Sequence, residues 1–346
     1  MIESTVHPKD RLMRLTKCHG SGNDFYIVDR RETEIDESDL APLAVSLSRR
    51  SGPFGADGLL IVDDGEVGPR MRIFNSDGSE AEMCGNGLRC VGRHLLEGSS
   101  DERVLVETRR ECIAVRRVEA LAPGVQATAY QSSAVSFAIR DWLLGHDSDE
   151  LKQQPIPSLH DTLPFTAIRF PNPHVIAVTE RVSLDELVRL GSAANGTPSV
   201  FPEGANVSMI RPLGPRSLYC ATFERGVGLT MACGTAMSAS AVVAASQGLV
   251  PTGETVEVFT WGGKVRIVVA DDLASVAVEG NATVVFKTEL PLRDALNPGP
   301  GLTFRGEASV DEIMAYQQLL ADVRSELLMH LTGDEYGGLQ ELEAAR

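Results

Sequence analysis

Short runs of alternating or β-branched residues recur along the chain, each broken after a few positions by Gly, Asn or Asp. LMRL, DFYIVD, RMRIF, RVLVET, CIAVRRV, KVRIVVA, SVAVEG and ATVVFKT have the pattern of short strands. Two longer segments break that pattern. GNGLRCVGRHLLE and GTAMSASAVVAASQ are predicted as helices, the second closed by Gly248 as a C-cap. One helix directly follows Cys84 and the other directly follows Cys233. Each half of the chain therefore reads as a strand layer around one helix.

The two halves are related. FNSDGSEAEMCGNG places Phe74, Asn75, Cys84 and Gly85 at the spacing of Phe223, Glu224, Cys233 and Gly234 in FERGVGLTMACGT, and Cys84 and Cys233 stand 149 residues apart. The same offset, without a gap, carries Gly55-Ala56-Asp57 onto Gly204-Ala205-Asn206 and Asn23 onto Asn172. Four segments in one register point to an internal duplication, and a duplication decides the architecture. The expected organisation is an N-terminal lobe over 11–136 that carries Cys84, with a strand returning to it at about 279–290, and a C-terminal lobe over 137–278 that carries Cys233.

The polar stretch 137–163, with Pro155 and Pro157, reads as a connection into the second lobe. Beyond Leu290 a breaker-rich linker leads into a helical tail, 291–346, with a helix predicted from Val310 to Leu331. Ser309 and Glu312 have capping-box spacing there, and Ile313, Tyr316, Leu320, Val323, Leu327 and Leu331 form one apolar stripe. That stripe needs a surface to cover, either in its own chain or in a second copy.

Composition narrows the function. The chain has 346 residues, 43% of them hydrophobic, and a formal charge of −16 at pH 7, with no basic stripe to attract nucleic acid or an anionic membrane. No run of 18 apolar residues offers a membrane span, and MIESTVHPKDRL lacks the apolar centre of a secretory signal. The six cysteines form no CxxC pairs and suit reduced thiols in the cytoplasm better than a disulfide framework or a zinc site. Cys18, Cys90, Cys112 and Cys220 read as structural. Neither glycine-rich stretch matches a nucleotide-binding loop. The expected partner is a small molecule, with no nucleic acid, no membrane and no metal.

Cys84 and Cys233 differ from the other four in standing at helix starts. Unpaired amides there can hold a carboxylate, the helix dipole favours thiolate over thiol, and Gly-Asn-Gly or Gly-Thr-Ala leaves room for a substrate near the backbone. Removing an α proton from an amino acid needs a base and a preorganised set of donors. Two thiols approaching one carbon from opposite sides supply a base on one face and an acid on the other, with no obligatory electron-sink cofactor.

At these motifs the chain resembles the diaminopimelate epimerase family. The resemblance rests on GSGNDFYIVD, NSDGSEAEMCGNGLRC, FPNPHV, FPEGAN and FERGVGLTMACGT and covers roughly residues 11–290. It implies an α+β fold of two pseudo-symmetric lobes, each a strand-rich, barrel-like sheet around a central helix, followed here by a C-terminal helical extension. It implies an isomerase that interconverts LL- and meso-2,6-diaminopimelate without pyridoxal phosphate or metal, in lysine and peptidoglycan precursor biosynthesis, and a homodimer. Carried over, Cys84 and Cys233 become the acid–base pair, and His174 and Glu224 tune or orient the thiols. The backbone at Gly85, Asn86, Gly234 and Thr235 holds the α carboxylate and amino group, and Asn23 lines the same pocket. Asn75, Asn172, Asn206 and Arg225 grip the distal end of the substrate.

Three residues depart from the family pattern: Leu229 stands where an acidic residue is common, Pro171 where Gly is usual, and Ala236 where a Gly follows the second cysteine. Two alternatives stand beside the main reading. One is a cofactor-independent racemase of another amino acid on the same fold; the other is a redox-sensing or ligand-binding protein in which the two thiols pair reversibly.

Overall fold

The computed structural model describes residues 11–299, 301–303, 305–332 and 335. The first ten residues, part of the stretch read above for a leader, and the end of the tail lie outside them. The chain divides into two compact units, one of the described residues up to Tyr130 with Gly280–Gln317, the other of Gln131–Glu279 with the described residues from Gln318.

The first unit opens with β1 (Leu12–Gly20), β2 (Asn23–Asp29), α1 (Glu37–Ser48), β3 (Gly58–Asp64), β4 (Pro69–Asn75) and β5 (Glu80–Ala81). It continues with α2 (Gly85–Leu96), β6 (Arg103–Glu107), β7 (Cys112–Ala122) and β8 (Val125–Ser132). The second follows with β9 (Gln154–Ile156), β10 (His160–Arg169), β11 (Pro173–Val178), α3 (Leu184–Gly196), β12 (Asn206–Gly214) and β13 (Ser217–Glu224). Next come β14 (Gly228–Leu229), α4 (Gly234–Ser246), β15 (Thr255–Thr260), β16 (Gly263–Val269) and β17 (Val276–Asn281). The chain then forms β18 (Thr283–Pro291), which pairs antiparallel along β1, α5 (Leu292–Leu296), β19 (Gly306–Ala308) and α6 (Val310–His330).

The internal repeat is a repeat of topology. β1 and β2 are antiparallel, β2 and β3 parallel, β3 and β4 antiparallel, β4 and β6 parallel, β6 and β7 antiparallel. β10, β11, β12, β13, β15 and β16 repeat that sequence of pairings. The gap-free offset fails in one strand. Phe25 pairs with Gly58, so the offset would pair His174 with Val207, but His174 pairs with Asn206. β12 is stepped by one residue relative to its counterpart, so Asp57 and Asn206 are aligned in sequence yet not equivalent in the ladder.

Each unit surrounds one helix with strands. α2 packs against β1, β2, β3, β4, β6 and β7, and α4 against β10, β11, β12, β13, β15 and β16. A helix enclosed in this way must be small or apolar around its circumference. In α4, 10 of 13 residues are buried, most of them Ala, Val, Ser or Gly. In α2, Gly92 faces Val115 so closely that a Cβ there would lie 2.2 Å from Val115 Cγ1. Gly248, at a φ of 70°, closes α4: its amide donates to Ala245 O and that of Leu249 to Ala244 O, the paired bonds of a Schellman cap.

Three local expectations change. The 137–163 stretch is not simply polar, because Ile139, Trp142, Leu143, Leu151, Ile156 and Leu159 are buried and anchor its turns. In α6 and directly after it the deep positions are Tyr316, Leu319, Val323, Leu327 and Leu331, with Ile313 and Leu320 only half-buried, so the stripe covers the protein's own surface. Glu312 does not close a capping box: its carboxylate takes Arg93 at 2.6 Å and the Val284 amide, while the Ser309 amide donates to Val285 O.

Packing around α2 generates a test. Gly92→Ala should lower unfolding free energy by about 1–3 kcal/mol through overpacking against Val115. Gly196→Ala, where a Cβ meets nothing within 4 Å, should be nearly neutral. Urea-unfolding midpoints of the two variants check the contrast.

Candidate active site

In the first unit the site is built on a tight hairpin and a helix start. Ser21 and Gly22 link β1 to β2 with φ of 53° and 80°, and positive φ at both centres is what a type I′ turn requires. The turn delivers Asn23 at the first position of β2. Cys84 is the N-cap of α2, in extended conformation, and its Sγ accepts from the Gly87 amide at 3.4 Å. The half-buried Cys84 thiol faces Asn23 Oδ1 at 3.8 Å. Asn86 Nδ2 donates to the same oxygen at 3.2 Å, and Asn23 Nδ2 donates to Asp57 Oδ2 at 2.9 Å.

Asp57 also accepts from the Asp24 amide and from Arg50. Burial alone would raise the Asp24 carboxyl, but Lys17 and Arg50 hold it below its ordinary value, so Asp24 stays ionised. Gly85 is fixed by space. A Cβ there would lie 2.2 Å from Tyr130 Oη, so only glycine lets the helix start sit against that hydroxyl. Asn75 ends β4, and its side-chain amide donates to Ser79 Oγ in the following turn at 2.9 Å.

In the second unit Cys233 occupies the corresponding N-cap of α4, again extended, but more deeply buried. Its Sγ lies 3.4 Å from Thr235 Oγ1. Burial first, then the negative charge of Glu224, pushes the Cys233 thiol well above its ordinary value, while the Thr235 hydroxyl pulls the other way. At neutral pH Cys233 therefore rests as the thiol, with a carboxylate beside it.

His174 is fully buried and its Nε2 lies 3.0 Å from Asn172 Oδ1. Desolvation is the main cause that lowers it to about 3, with Arg225 adding to the shift and a bond to the Phe170 backbone opposing it. It is a neutral imidazole throughout the physiological range. Asn206 Oδ1 accepts from the Arg225 amide at 2.8 Å, and its buried Nδ2 has no hydrogen-bond partner among the described residues. The Arg225 guanidinium donates to Glu203 O at 2.8 Å.

The structure thus gathers Asn23, Asn86, Gly85 and Cys84 at one helix start. It gathers Cys233, Gly234, Thr235 and Glu224 at the other, and links Asn172 to His174 and Asn206 to Arg225. Sequence reasoning passed over Asp57, Tyr130 and Arg89. Asp57 stood within the repeated Gly-Ala-Asp segment and was open to recognition; Tyr130 and Arg89 carried no motif signal of their own. Leu229 also has a local explanation. Its counterpart Glu80 is held by Arg72 in the first unit, whereas the position matching Arg72 is Ala221, so an acid at 229 would find no arginine there.

A family model described as diaminopimelate epimerase matches residues 15–121 and 166–285. A diaminopimelate epimerase of Clostridium acetobutylicum is 38% identical over 286 residues, covering 81% of this chain and 86% of that protein. One of Lactiplantibacillus plantarum is 39% identical over 329 residues, covering 90% and 98%. Among solved structures, a PhzF-family phenazine biosynthesis protein of Bacillus anthracis superposes with a TM-score of 0.60 at 17% identity, covering 81% of this chain and 99% of its own. A hydroxyproline epimerase of Agrobacterium vitis gives 0.56 at 15% identity, covering 85% and 96%, and these two likenesses bear on the fold. With the family model spanning well over half of its length and relatives above 30% identity along most of it, this chain belongs to the diaminopimelate epimerase family.

Proposed function

We propose that Cys84 and Cys233 are the two acid–base groups of a diaminopimelate epimerase, each serving one face of the substrate's α carbon. Membership of the family makes the chain an isomerase acting on a small molecule. The observation that carries the residue assignment is that the repeat places a cysteine at the N-cap of each buried central helix. A helix start supplies amide donors and a positive dipole end, which suit both a thiolate and the carboxylate of an amino acid.

In the forward step one cysteine, as thiolate, takes the α proton. The electron pair left on carbon is delocalised into the adjacent carboxylate, which first-turn amides at Gly85 and Asn86 or Gly234 and Thr235 stabilise. The other cysteine, as thiol, delivers its proton to the opposite face, and the reverse reaction exchanges the roles. Glu224 beside the Cys233 thiol is suited to receive or return its proton. Neutral His174 acts by hydrogen bonding. Asn23 lines the reacting centre, and Asn75, Asn172, Asn206 and Arg225 hold the distal amino-acid end.

The same reading includes a cytoplasmic homodimer. Six free cysteines among the described residues suit a reducing compartment. No helix of the described residues is long and apolar enough to cross a membrane. Light scattering on the full chain reads the oligomeric state.

With LL-diaminopimelate, Cys84→Ser and Cys233→Ser should each lose at least about a hundredfold of epimerisation, as loss of a positioned acid or base group does. Chiral chromatography of the product checks this. Activity on a different amino acid but not on diaminopimelate would keep the chemistry and replace the substrate. Glu224→Gln removes a negative charge that raises the Cys233 thiol, so alkylation of Cys233 should shift to lower pH while epimerisation falls. Mass-spectrometric labelling of the Cys233 peptide across a pH series reads that shift.

A further inference from the structure

The α2 helix buries an arginine that the chemistry above does not use. Arg89 is fully buried, and its hydrogen bonds to the described residues include none to a carboxylate. Its Nε donates to Asn281 O at 3.2 Å, and its Nη2 donates to Ser21 Oγ at 3.3 Å and Asn86 Oδ1 at 2.9 Å. Its Nη1 is buried without a hydrogen-bond partner among the described residues. All three acceptors are neutral. An unpaired cation in the interior is costly unless an anion or hydrogen bonds compensate it.

The surroundings are shaped to hold it. A Cβ on Gly20 would lie 2.8 Å from Arg89 Nη2 and 3.1 Å from Asn86 Cβ, so glycine at that position keeps space for the guanidinium. Asn281 accepts from the Ser21 amide through Oδ1 and donates to His19 O, which ties the hairpin turn to the same spot. The bonds then run one way. Arg89 has only donors, so Asn86 turns its oxygen to Arg89 and its amide to Asn23 Oδ1. Asp57, an acceptor, takes the other end of Asn23, and the Asn23 oxygen is left facing the Cys84 thiol.

We propose that Arg89 is a positioning residue for Cys84: its guanidinium, buried without a carboxylate partner, holds Asn86 and Asn23 against the thiol and supplies the counter-charge for the anion that forms at the start of α2. The inference rests on the assignment of Cys84 as an acid–base group. Cys84 Sγ sits between an acceptor, Asn23 Oδ1, which suits the thiol, and a donor, the Gly87 amide, which suits the thiolate.

Other charged and titratable groups face this pair. His19 from β1 and Cys90 from α2 feel the guanidinium, and Arg93, one turn further along α2, is paired with Glu312. Around Cys84 lie Asp57, with Asp24, Lys17 and Arg50 behind it, and Tyr130 beside Gly85. His19 is lowered to about 4 by burial, then by Lys17 and Arg89, and stays neutral above pH 6.

The test is the pH profile of iodoacetamide alkylation of Cys84, followed by mass spectrometry in the full chain, for the native protein and Arg89→Met, Arg89→Gln and Arg89→Lys. The Met and Gln variants should move the midpoint up by on the order of one pH unit, because they remove a buried positive charge close to the anion. They should also lower kcat for α-proton exchange more than they raise KM. Lys should restore the midpoint, because it restores the charge. Arg89→Gln keeps a donor for Asn86 and decides the matter if the Met variant does not fold. An unchanged midpoint in a folded neutral variant overturns the proposal. Separately, native protein alkylated at Cys84 that still exchanges the α proton would overturn the assignment of Cys84 itself.

Discussion

A buried helix start is the constraint on which the rest of this protein depends. The first amides of α2 and α4 have no partners within their own helices, and each helix is enclosed by strands where stray water is scarce. Such ends must be satisfied by side chains or by a ligand. In each unit a cysteine stands at the N-cap: Cys84 takes the Gly87 amide, whereas Cys233 leaves the first amides of α4 uncapped and bonds to the Thr235 hydroxyl. Fold and chemistry meet at that cap.

The two caps are built alike and tuned differently. Cys84 is half-buried, capped by the Gly87 amide, and faces an asparagine oxygen whose orientation is fixed from Asp57 on one side and Arg89 on the other. Cys233 is buried, bonded to Thr235, and lies beside Glu224, which with desolvation keeps it protonated. Duplication thus supplied two equivalent positions, and later residues made them unequal. The one-residue step of β12 belongs to the same divergence: Asp57 orders Asn23 in the first unit, while Asn206 receives the Arg225 amide in the second.

Much of this was legible in the sequence, for physical reasons. A cysteine followed by small residues and an apolar run marks a helix start, and two such starts in one register reveal the repeat. Strands with β-branched alternation were open to recognition; α1 was not, because Pro42 within it reads as a breaker. The 137–163 stretch hid its buried Trp142 among polar neighbours. Arg89 looked like an ordinary helical arginine, since nothing in the order of residues shows that its side chain turns inward. Glu312 had the spacing of a capping box, yet an arginine on another helix outbid the backbone amide that spacing suggests.

Isotope transfer in a single turnover distinguishes two bases from one. LL-diaminopimelate carrying ordinary hydrogen is mixed with excess enzyme in heavy water, and the reaction is stopped before the product turns back. Two cysteines acting as separate bases predict deuterium at the α carbon of the meso product and none in the recovered substrate. Product that keeps its original hydrogen would mean that one group removes and returns the same proton, which contradicts the account.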